Sequence, residues 1–212
     1  MYLPNIFIDL DGPILDVSER HYQVYKQIIF QLGGFPLEKR MYWRLKREKR
    51  QHRILQLSKI TDKKEKFAKM WLNLIEKRSY LECDRVFPNI KNTLNALKKQ
   101  YNLILVTLRN HPKNLFWQLK ILSLKPYFKD ILCQKENKGN WLSKYRLIKG
   151  YDFFDPSSYL IGDTEIDILA GKKLKIKTIA VLSGIRDKNI LLSYQPDYII
   201  DSLKDIWKVL KR

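Results

Sequence analysis

Short apolar runs, separated by segments of helical periodicity, constrain the fold of this chain more than any other sequence feature. Residues 5–10 (NIFIDL) and 102–107 (NLILVT) are runs of strand length, and residues 158–161 and 177–182 repeat the pattern. Such runs are typical of strands buried on both faces. Strands that alternate with helices predict an α/β fold, a three-layer Rossmann-like core whose parallel sheet is covered on both faces.

The intervening segments carry apolar residues at helical spacing and are bounded by turn residues. These patterns predict helices over residues 89–99, 112–122, 144–149 and 165–173 and at the C-terminus, and short strands near residue 131 and over residues 197–200.

Residues 16–82 interrupt the alternation because their pattern is helical throughout. Asp16 and Glu19 resemble a capping box at the start of the first helix, and Gly33-Gly34 marks its end. An all-helical block after the first strand predicts a small inserted domain. The expected division is a core of residues 1–14 and 86–212 and a helical domain of residues 15–85.

The net charge of +19 predicts attraction to polyanions, either nucleic acid or small phosphorylated molecules. The densest basic run lies between Lys39 and Arg53. It fits either a solvated helix face or a surface that recruits an anionic substrate. The sequence has no recognised nucleic-acid-binding motif, so a nucleic-acid partner is not favoured.

The sequence favours a reduced, cytoplasmic protein. Its two cysteines, Cys83 and Cys133, form neither a disulfide framework nor a metal-ligand pattern. No apolar run approaches the roughly 18 residues that span a bilayer, and residues 1–10 lack the features of a signal peptide.

Polar residues are few at the predicted strand ends. Asp9 and Asp11 end the first strand, Thr107 ends the second long one, and Asp163 and Asp167 follow a later strand. Ligand sites in open α/β sheets lie at the carboxyl ends of strands. Four acids in one place repel each other, and Mg²⁺, which prefers oxygen ligands, would relieve that repulsion.

The spacing Asp9-Leu10-Asp11 has a chemical logic at the end of a strand, where the chain turns. Both carboxylates can then approach one phosphoryl group from different sides. One would attack phosphorus and form an aspartyl-phosphate. The other would protonate the leaving oxygen and then deprotonate the hydrolytic water.

Three segments together resemble the motifs of the haloacid dehalogenase-like (HAD) hydrolases. They are FIDLDGPILD (residues 7–16), LILVTLRN (103–110) and YLIGDTEIDILAGKKLKIKTIAVLSG (159–184). The resemblance covers the whole predicted core, and the helical block takes the position of the family's helical cap. It implies a Mg²⁺-dependent phosphatase of the phosphoglycolate phosphatase-like type that acts on a small phosphorylated metabolite.

The resemblance also implies roles for individual residues. Asp9 would be the nucleophile and Asp11 the general acid and base. Asp9, the backbone carbonyl of Asp11 and Asp163 would bind Mg²⁺, with Asp167 supporting the metal site directly or through water. Thr107 and the following turn at Leu108 would bind the phosphate. The position of Arg109, two residues after Thr107, would let it reach the phosphate or the distal part of the substrate; its alternative interpretation is a surface arginine.

The active-site lysine of the family has more than one candidate here. Lys144 is favoured because the helical stretch KYRLIK begins with it, and Leu147 and Ile148 are placed to pack inward. Lys138 is the main competitor, and Lys135 is a weaker one because it directly follows a predicted strand.

Other activities of the same fold stay open. A phosphomutase has the same motifs, and a phosphonatase needs a cap lysine that forms a Schiff base. A haloacid dehalogenase uses a single aspartate without metal, so Asp11 argues against it. A basic nucleic-acid-binding or nucleic-acid-processing protein is the alternative from a different class.

Some residues near the motifs have structural interpretations. Asn110 is expected to cap the helix that begins near Pro112. His21 is expected to pack within the helical domain, with the active site as its alternative environment. Trp71 and the other tryptophans fall on apolar faces and are expected to be packing residues.

Overall fold

The computed structural model describes residues 3–133 and 139–210. Its strands are β1 (Asn5–Ile8), β2 (Leu15–Asp16), β3 (Arg85–Val86), β4 (Asn102–Thr107), β5 (Asp130–Cys133), β6 (Tyr159–Gly162), β7 (Lys177–Val181) and β8 (Tyr198–Ile200). Six of them form a parallel sheet in the order β5-β4-β1-β6-β7-β8. The predicted α/β class is confirmed.

The helices are α1 (Ser18–Gln31), α2 (Lys39–Arg47), α3 (Gln51–Leu57), α4 (Lys64–Leu74), α5 (Arg78–Leu81), α6 (Ile90–Leu97), α7 (Pro112–Ile121), α8 (Trp141–Lys149), α9 (Glu165–Leu174) and α10 (Lys188–Ser193). Short 3₁₀ helices occupy Thr61–Lys63, Lys125–Tyr127 and Leu203–Lys208. In the described parts of the chain, no helix combines the length and apolar character needed to cross a bilayer.

The central strands are buried on both faces, which explains their continuous apolar runs. On β1, Ile6 and Ile8 face one layer with α6 and α7, whereas Phe7 faces the opposite layer with α8 and α9. On the neighbouring β4, Leu103 and Ile104 divide between the same two layers. The sheet is therefore the middle of three layers, as alternating side-chain direction along a strand requires.

Helices α1 to α5 form an insertion between β2 and β3. These two short strands pair antiparallel, with Leu15 opposite Val86 and Asp16 opposite Arg85. The insertion has its own apolar cluster, which includes Tyr25, Ile28, Tyr42, Ile54 and Phe67. Trp43 of the insertion packs against both this cluster and the cluster of the core. The β2–β3 ribbon was not predicted.

The predicted capping box at the start of α1 is wrong. The Oδ1 atom of Asp16 accepts a hydrogen bond from the backbone N–H of Ser18 at 2.9 Å, in a turn that precedes the helix. Glu19 binds Lys39 and Gln23 instead of reaching back to the helix start. The predicted end of the helix is confirmed, because α1 stops at Gln31, just before the glycine pair.

The second half of the chain differs from the prediction in one boundary, one helix type and one additional helix. Helix α8 begins at Trp141, because the Asn140 side chain accepts a hydrogen bond from the Ser143 N–H and caps it. Lys144 is therefore the fourth helical residue and does not open the helix. The predicted C-terminal helix is a 3₁₀ helix, and α10 was not predicted.

Candidate active site

The carboxyl ends of three adjacent strands bring the predicted acids together. Asp9 follows β1, Thr107 ends β4 and Asp163 follows β6. They border a cavity of about 330 Å³. The cavity is also lined by Asp11, Leu108, Arg109 and Lys144 from the core and by Arg20, His21, Trp71, Ile75 and Glu76 from the insertion.

Lys144 lies between two of the acids. Its Nζ atom is 3.2 Å from Oδ2 of Asp9 and 2.5 Å from Oδ1 of Asp167. Burial lowers the pKa of Lys144, but the two carboxylates reverse that effect and raise it overall. Burial and the neighbouring acids raise the pKa of Asp9 to about 7, against the influence of Lys144. The other two candidate lysines, Lys135 and Lys138, lie outside the described residues.

A divalent cation fits beside Asp9, Asp163 and Asp167. Each offers a carboxylate oxygen, and these oxygens lie within 4.8 Å of one another. Oδ1 of Asp163 is buried and has no hydrogen-bond partner in the described structure. Burial and the charges of Asp167 and Asp9 raise the pKa of Asp163 well above its usual value. A buried oxygen without a partner among three acids is the environment that a hard cation stabilises.

Asp167 already has partners for both of its oxygens. Oδ1 pairs with Lys144, and Oδ2 accepts hydrogen bonds from the Thr164 N–H at 3.1 Å and the Thr164 hydroxyl at 2.7 Å, within the capping box of α9. This arrangement fits the supporting role for Asp167 better than a direct metal bond.

Two glycines allow the backbone to close around Asp163. A Cβ atom on Gly12 would lie 2.3 Å from the Asp163 carboxyl carbon, and one on Gly184 would lie 1.9 Å from its Oδ2 atom. Gly12 also has φ of +99°, in the left-handed region. Oδ2 of Asp163 accepts a hydrogen bond from the Ile185 N–H at 2.5 Å. The surrounding backbone and this hydrogen bond therefore fix the position of the Asp163 carboxylate.

Asp11 is held by two arginines. Arg109 contacts Oδ1 at 2.5 Å, and Arg20 of α1 contacts Oδ2 at 2.6 Å. Burial raises the pKa of Asp11, but the two guanidinium groups outweigh it and hold that pKa well below its usual range. Arg109 is only 5% exposed, so its interpretation as a surface arginine is wrong.

The arginines extend into a buried network that the sequence did not reveal. Arg20 lies 3.1 Å and Arg109 3.4 Å from the two oxygens of Asp84. Gln118 accepts a hydrogen bond from Arg109 and donates to Asp84 at 2.8 Å. Arg20, Asp84 and Gln118 belong to helical or turn segments with no motif, so the sequence offered no signal for them.

The sequence family follows from a comparison with known proteins. The family model described as haloacid dehalogenase-like hydrolase matches residues 6–181. The chain belongs to this family. This confirms the resemblance seen in the three motifs and makes the chain a hydrolase.

Two relatives with curated names are similar to part of this hydrolase. Pyrophosphatase PpaX of Bacillus mycoides is 25% identical over 59% of the chain, and phosphoglycolate phosphatase of Vibrio vulnificus is 26% identical over 61%. The chain spans only 60% and 58% of the length of these two relatives. A haloacid dehalogenase-like family protein from Streptococcus pneumoniae has the same fold, with a TM-score of 0.78 at 21% identity over 99% of both chains.

The insertion of the hydrolase contacts the loop after β4 through Glu76. Its carboxylate accepts hydrogen bonds from the backbone N–H groups of Asn110 and His111, each at 2.9 Å. Helix α7 begins at Pro112 with His111 as its cap residue, so the expected cap role of Asn110 is wrong. An acid from the insertion orders this loop instead.

The basic run on α2 makes a second contact with the core. An Nη atom of Arg47 donates to the Leu182 carbonyl oxygen at 2.8 Å. Lys49 pairs with Glu165 of α9 at 2.9 Å, and Arg186 binds the same carboxylate at 2.8 Å. Two charged residues of this run, Arg47 and Lys49, therefore join the insertion to the core of the hydrolase, which neither interpretation of the sequence foresaw.

His21 and Trp71 combine packing with exposure to the cavity. The His21 ring lies 5.3 Å from the Trp71 ring and 5.9 Å from the Trp43 ring, while His21 and Trp71 both line the cavity. Burial, followed by the charge of Lys46, lowers the pKa of His21 well below its usual value. His21 and Trp71 therefore give the cavity an aromatic wall on the side of the insertion, in which the neutral form of His21 is favoured.

Proposed function

We propose that this hydrolase is a Mg²⁺-dependent phosphatase that cleaves a phosphate monoester through an aspartyl-phosphate intermediate. The observation that carries the proposal is the carboxylate of Asp9 in the cavity, 3.2 Å from the Lys144 ammonium. It lies next to an oxygen of Asp163 that has no hydrogen-bond partner among the described residues. A nucleophile flanked by a fixed cation and a metal-binding carboxylate matches the needs of phosphoryl transfer.

In the first step, an oxygen of Asp9 attacks phosphorus while the bond from phosphorus to the leaving oxygen breaks. Asp11 gives a proton to that oxygen, which requires the protonated form of Asp11 that the two arginines disfavour before substrate binds. In the second step, Asp11 takes a proton from water as the water oxygen attacks phosphorus, and the Asp9 carboxylate leaves. Lys144 neutralises charge on the transferring group, and Thr107 and the backbone of Leu108 bind the phosphate oxygens.

Asp9, Asp163 and the backbone carbonyl of Asp11 would hold Mg²⁺, with Asp167 in support. When bound, the ion supplies positive charge that stabilises the phosphoryl oxygens during transfer.

The proposed substrate is a small phosphorylated metabolite. A cavity of about 330 Å³ is at the small end of ligand pockets. The names of the relatives refer to pyrophosphate and phosphoglycolate, two small phosphorylated compounds. We further propose that residues 15–85 act as a cap on a core of residues 1–14 and 86–212, because the insertion forms one wall of the cavity.

The alternatives make different demands. A phosphonatase would need a cap lysine at the reacting centre, whereas the lysine that lines the cavity within the described residues is Lys144 of the core. A phosphomutase would transfer the phosphoryl group to a sugar, which product analysis would reveal. Tight binding of random DNA with a steep salt dependence would favour the nucleic-acid alternative.

Replacement of the nucleophile tests the proposal. Asp9→Asn should lower the Mg²⁺-dependent hydrolysis of an aryl phosphate by about three orders of magnitude or more, because an amide cannot attack phosphorus. Thermal unfolding should show that the variant is folded. Asp62→Asn, which changes an exposed aspartate in the insertion, is the matched control and should keep full activity. Near-normal turnover in Asp9→Asn would refute the assignment.

A further inference from the structure

The charged network around Asp11 is almost completely shielded from water. Arg20 and Asp84 are each 1% exposed, and Arg109 is 5% exposed. Two arginines and two aspartates balance in charge, and each guanidinium group bridges Asp11 and Asp84. Asp84 receives a further hydrogen bond from Gln118, whose amide also donates to the Leu81 carbonyl oxygen at 2.8 Å.

Such a network is weak evidence for stability. Removing four charges from water is costly, and well-packed apolar side chains of similar volume would often stabilise a protein as much or more. The partly exposed member of this network is Asp11, whose side chain is 22% exposed at the cavity. Because Asp11 is the proposed acid and base, the buried network points to a role in orienting it.

The network also fixes the direction of the Asp11 carboxylate. Arg109 holds Oδ1 through Nη2 and also donates to Oδ2 through Nε at 3.3 Å, while Arg20 holds Oδ2, so rotation of the carboxylate would break these contacts. Arg20 lies on α1, and Asp84 lies between α5 and β3. The two ends of the insertion therefore supply the groups that orient a residue of the core.

We propose that Arg20 and Asp84 are positioning residues, which hold Asp11 as an oriented carboxylate for the attack of water on the aspartyl-phosphate. This inference rests on the proposed function. The contacts of Arg20 and Arg109 fix where the Asp11 carboxylate meets the attacking water, and the second step depends on that geometry. There the water oxygen bonds to phosphorus, its proton passes to Asp11, and the bond from phosphorus to Asp9 breaks.

The consequence is that loss of the network slows the second step more than the first. A good leaving group such as p-nitrophenolate needs little protonation, so formation of the aspartyl-phosphate should continue in Arg20→Gln and Asp84→Asn. The intermediate should then accumulate. We expect kcat and KM for p-nitrophenyl phosphate to fall together, by about 10-fold to 100-fold, while kcat/KM changes little.

Rapid mixing and acid quenching test this directly. Arg20→Gln and Asp84→Asn should release a burst of p-nitrophenolate approaching one equivalent per site, and the quenched protein should carry several-fold more covalent phosphate than the wild type. Arg20→Lys, which restores one positive charge, should recover part of the steady-state rate. Arg20→Lys also provides a test of the inference if Arg20→Gln does not fold.

Arg47→Gln is the matched control. It removes an arginine that joins the insertion to the core but contacts the Leu182 and Arg186 carbonyl oxygens instead of Asp11. It should leave the phosphorylated fraction at the wild-type level. If the Arg20 and Asp84 variants lose turnover without a burst and without added covalent phosphate, the inference is wrong. Failure of the proposed function would be seen separately, as turnover that survives in Asp9→Asn.

Discussion

At the scale of single residues, the Asp163 carboxylate is tightly enclosed by backbone. One oxygen accepts a hydrogen bond from the Ile185 N–H, and the other lies near two further acids and has no hydrogen-bond partner in the part of the chain that the structure describes. Gly12 and Gly184 leave room for the carboxylate only because they have no side chain. A side chain added at either glycine would therefore disturb the proposed metal site more than the rest of the fold.

Gly12→Ala should abolish most of the activity and weaken Mg²⁺ binding at least 10-fold. The added methyl group would overlap the Asp163 carboxyl group, and φ of +99° disfavours any side chain. Metal affinity measured by calorimetry, together with steady-state rates, checks this prediction.

Gly33→Ala separates the two causes. Gly33 also has a positive φ, of +73°, but an added Cβ would have no atom within 4 Å. It should cost about 1 kcal/mol of stability and leave metal affinity unchanged. Equal metal affinities of the two variants would contradict the steric argument.

The sequence made some residues of the site predictable and hid others. Asp9, Asp11, Thr107 and Asp163 stand where apolar strands end, so the strand pattern itself pointed to them. Arg20 was hidden because the sequence contains 41 basic residues and does not say which of them is buried. Burial of a charge depends on packing between distant segments.

At the scale of elements, one contact between the insertion and the core joins the turn after α2 to the N-terminus of α9. Glu165 in the first turn of α9 receives both Lys49 and Arg186. Burial raises the pKa of Glu165, but hydrogen bonds from these two residues lower it overall to about 2. The carboxylate therefore favours the folded state only while it is ionised.

Glu165→Gln should lower the free energy of unfolding by about 1 kcal/mol at pH 7, a value reduced for solvent screening. Because the folded-state pKa lies below the ordinary value of 4.5, the stabilisation is complete above about pH 4.5 and is lost toward pH 2. The difference between wild type and variant, measured by urea unfolding, should shrink over this interval. The exposed Glu65→Gln of α4 is the control, and a constant difference across the interval would contradict the prediction.

Elements were predictable in proportion to their length and burial. The bounds of β4 agree with its apolar run because both faces of the strand are buried. Strands β2 and β3 have two residues each, too few for any periodicity. The start of α8 depends on the cap at Asn140, a local hydrogen bond that apolar spacing does not register.

At the scale of the whole molecule, the net charge is +19, but the acids of the site form a local cluster of negative charge. Asp9, Asp163 and Asp167 lie close together, and their mutual repulsion is a cost that folding must overcome. A cation that binds the folded chain and not the unfolded one should stabilise the whole protein.

Mg²⁺ at ten times its dissociation constant should raise the free energy of unfolding by about 1.4 kcal/mol, and Tm by about 4 °C for a chain of this size. Scanning calorimetry with and without the ion checks this without reference to activity. Asp163→Asn should remove the shift, since it removes the negative charge of the carboxylate whose Oδ1 atom has no partner within residues 3–133 and 139–210. An equal shift in this variant would place the ion elsewhere.

The β2–β3 ribbon makes the insertion a replaceable segment of the chain. The insertion leaves and returns on two adjacent strands, where Leu15 pairs with Val86, so a short turn there would close the core without it. Closing a longer loop at this point adds little entropy cost. Helical segments of different length and sequence can therefore be exchanged at this junction during evolution, or by an engineer, while the sheet and its acids are inherited unchanged.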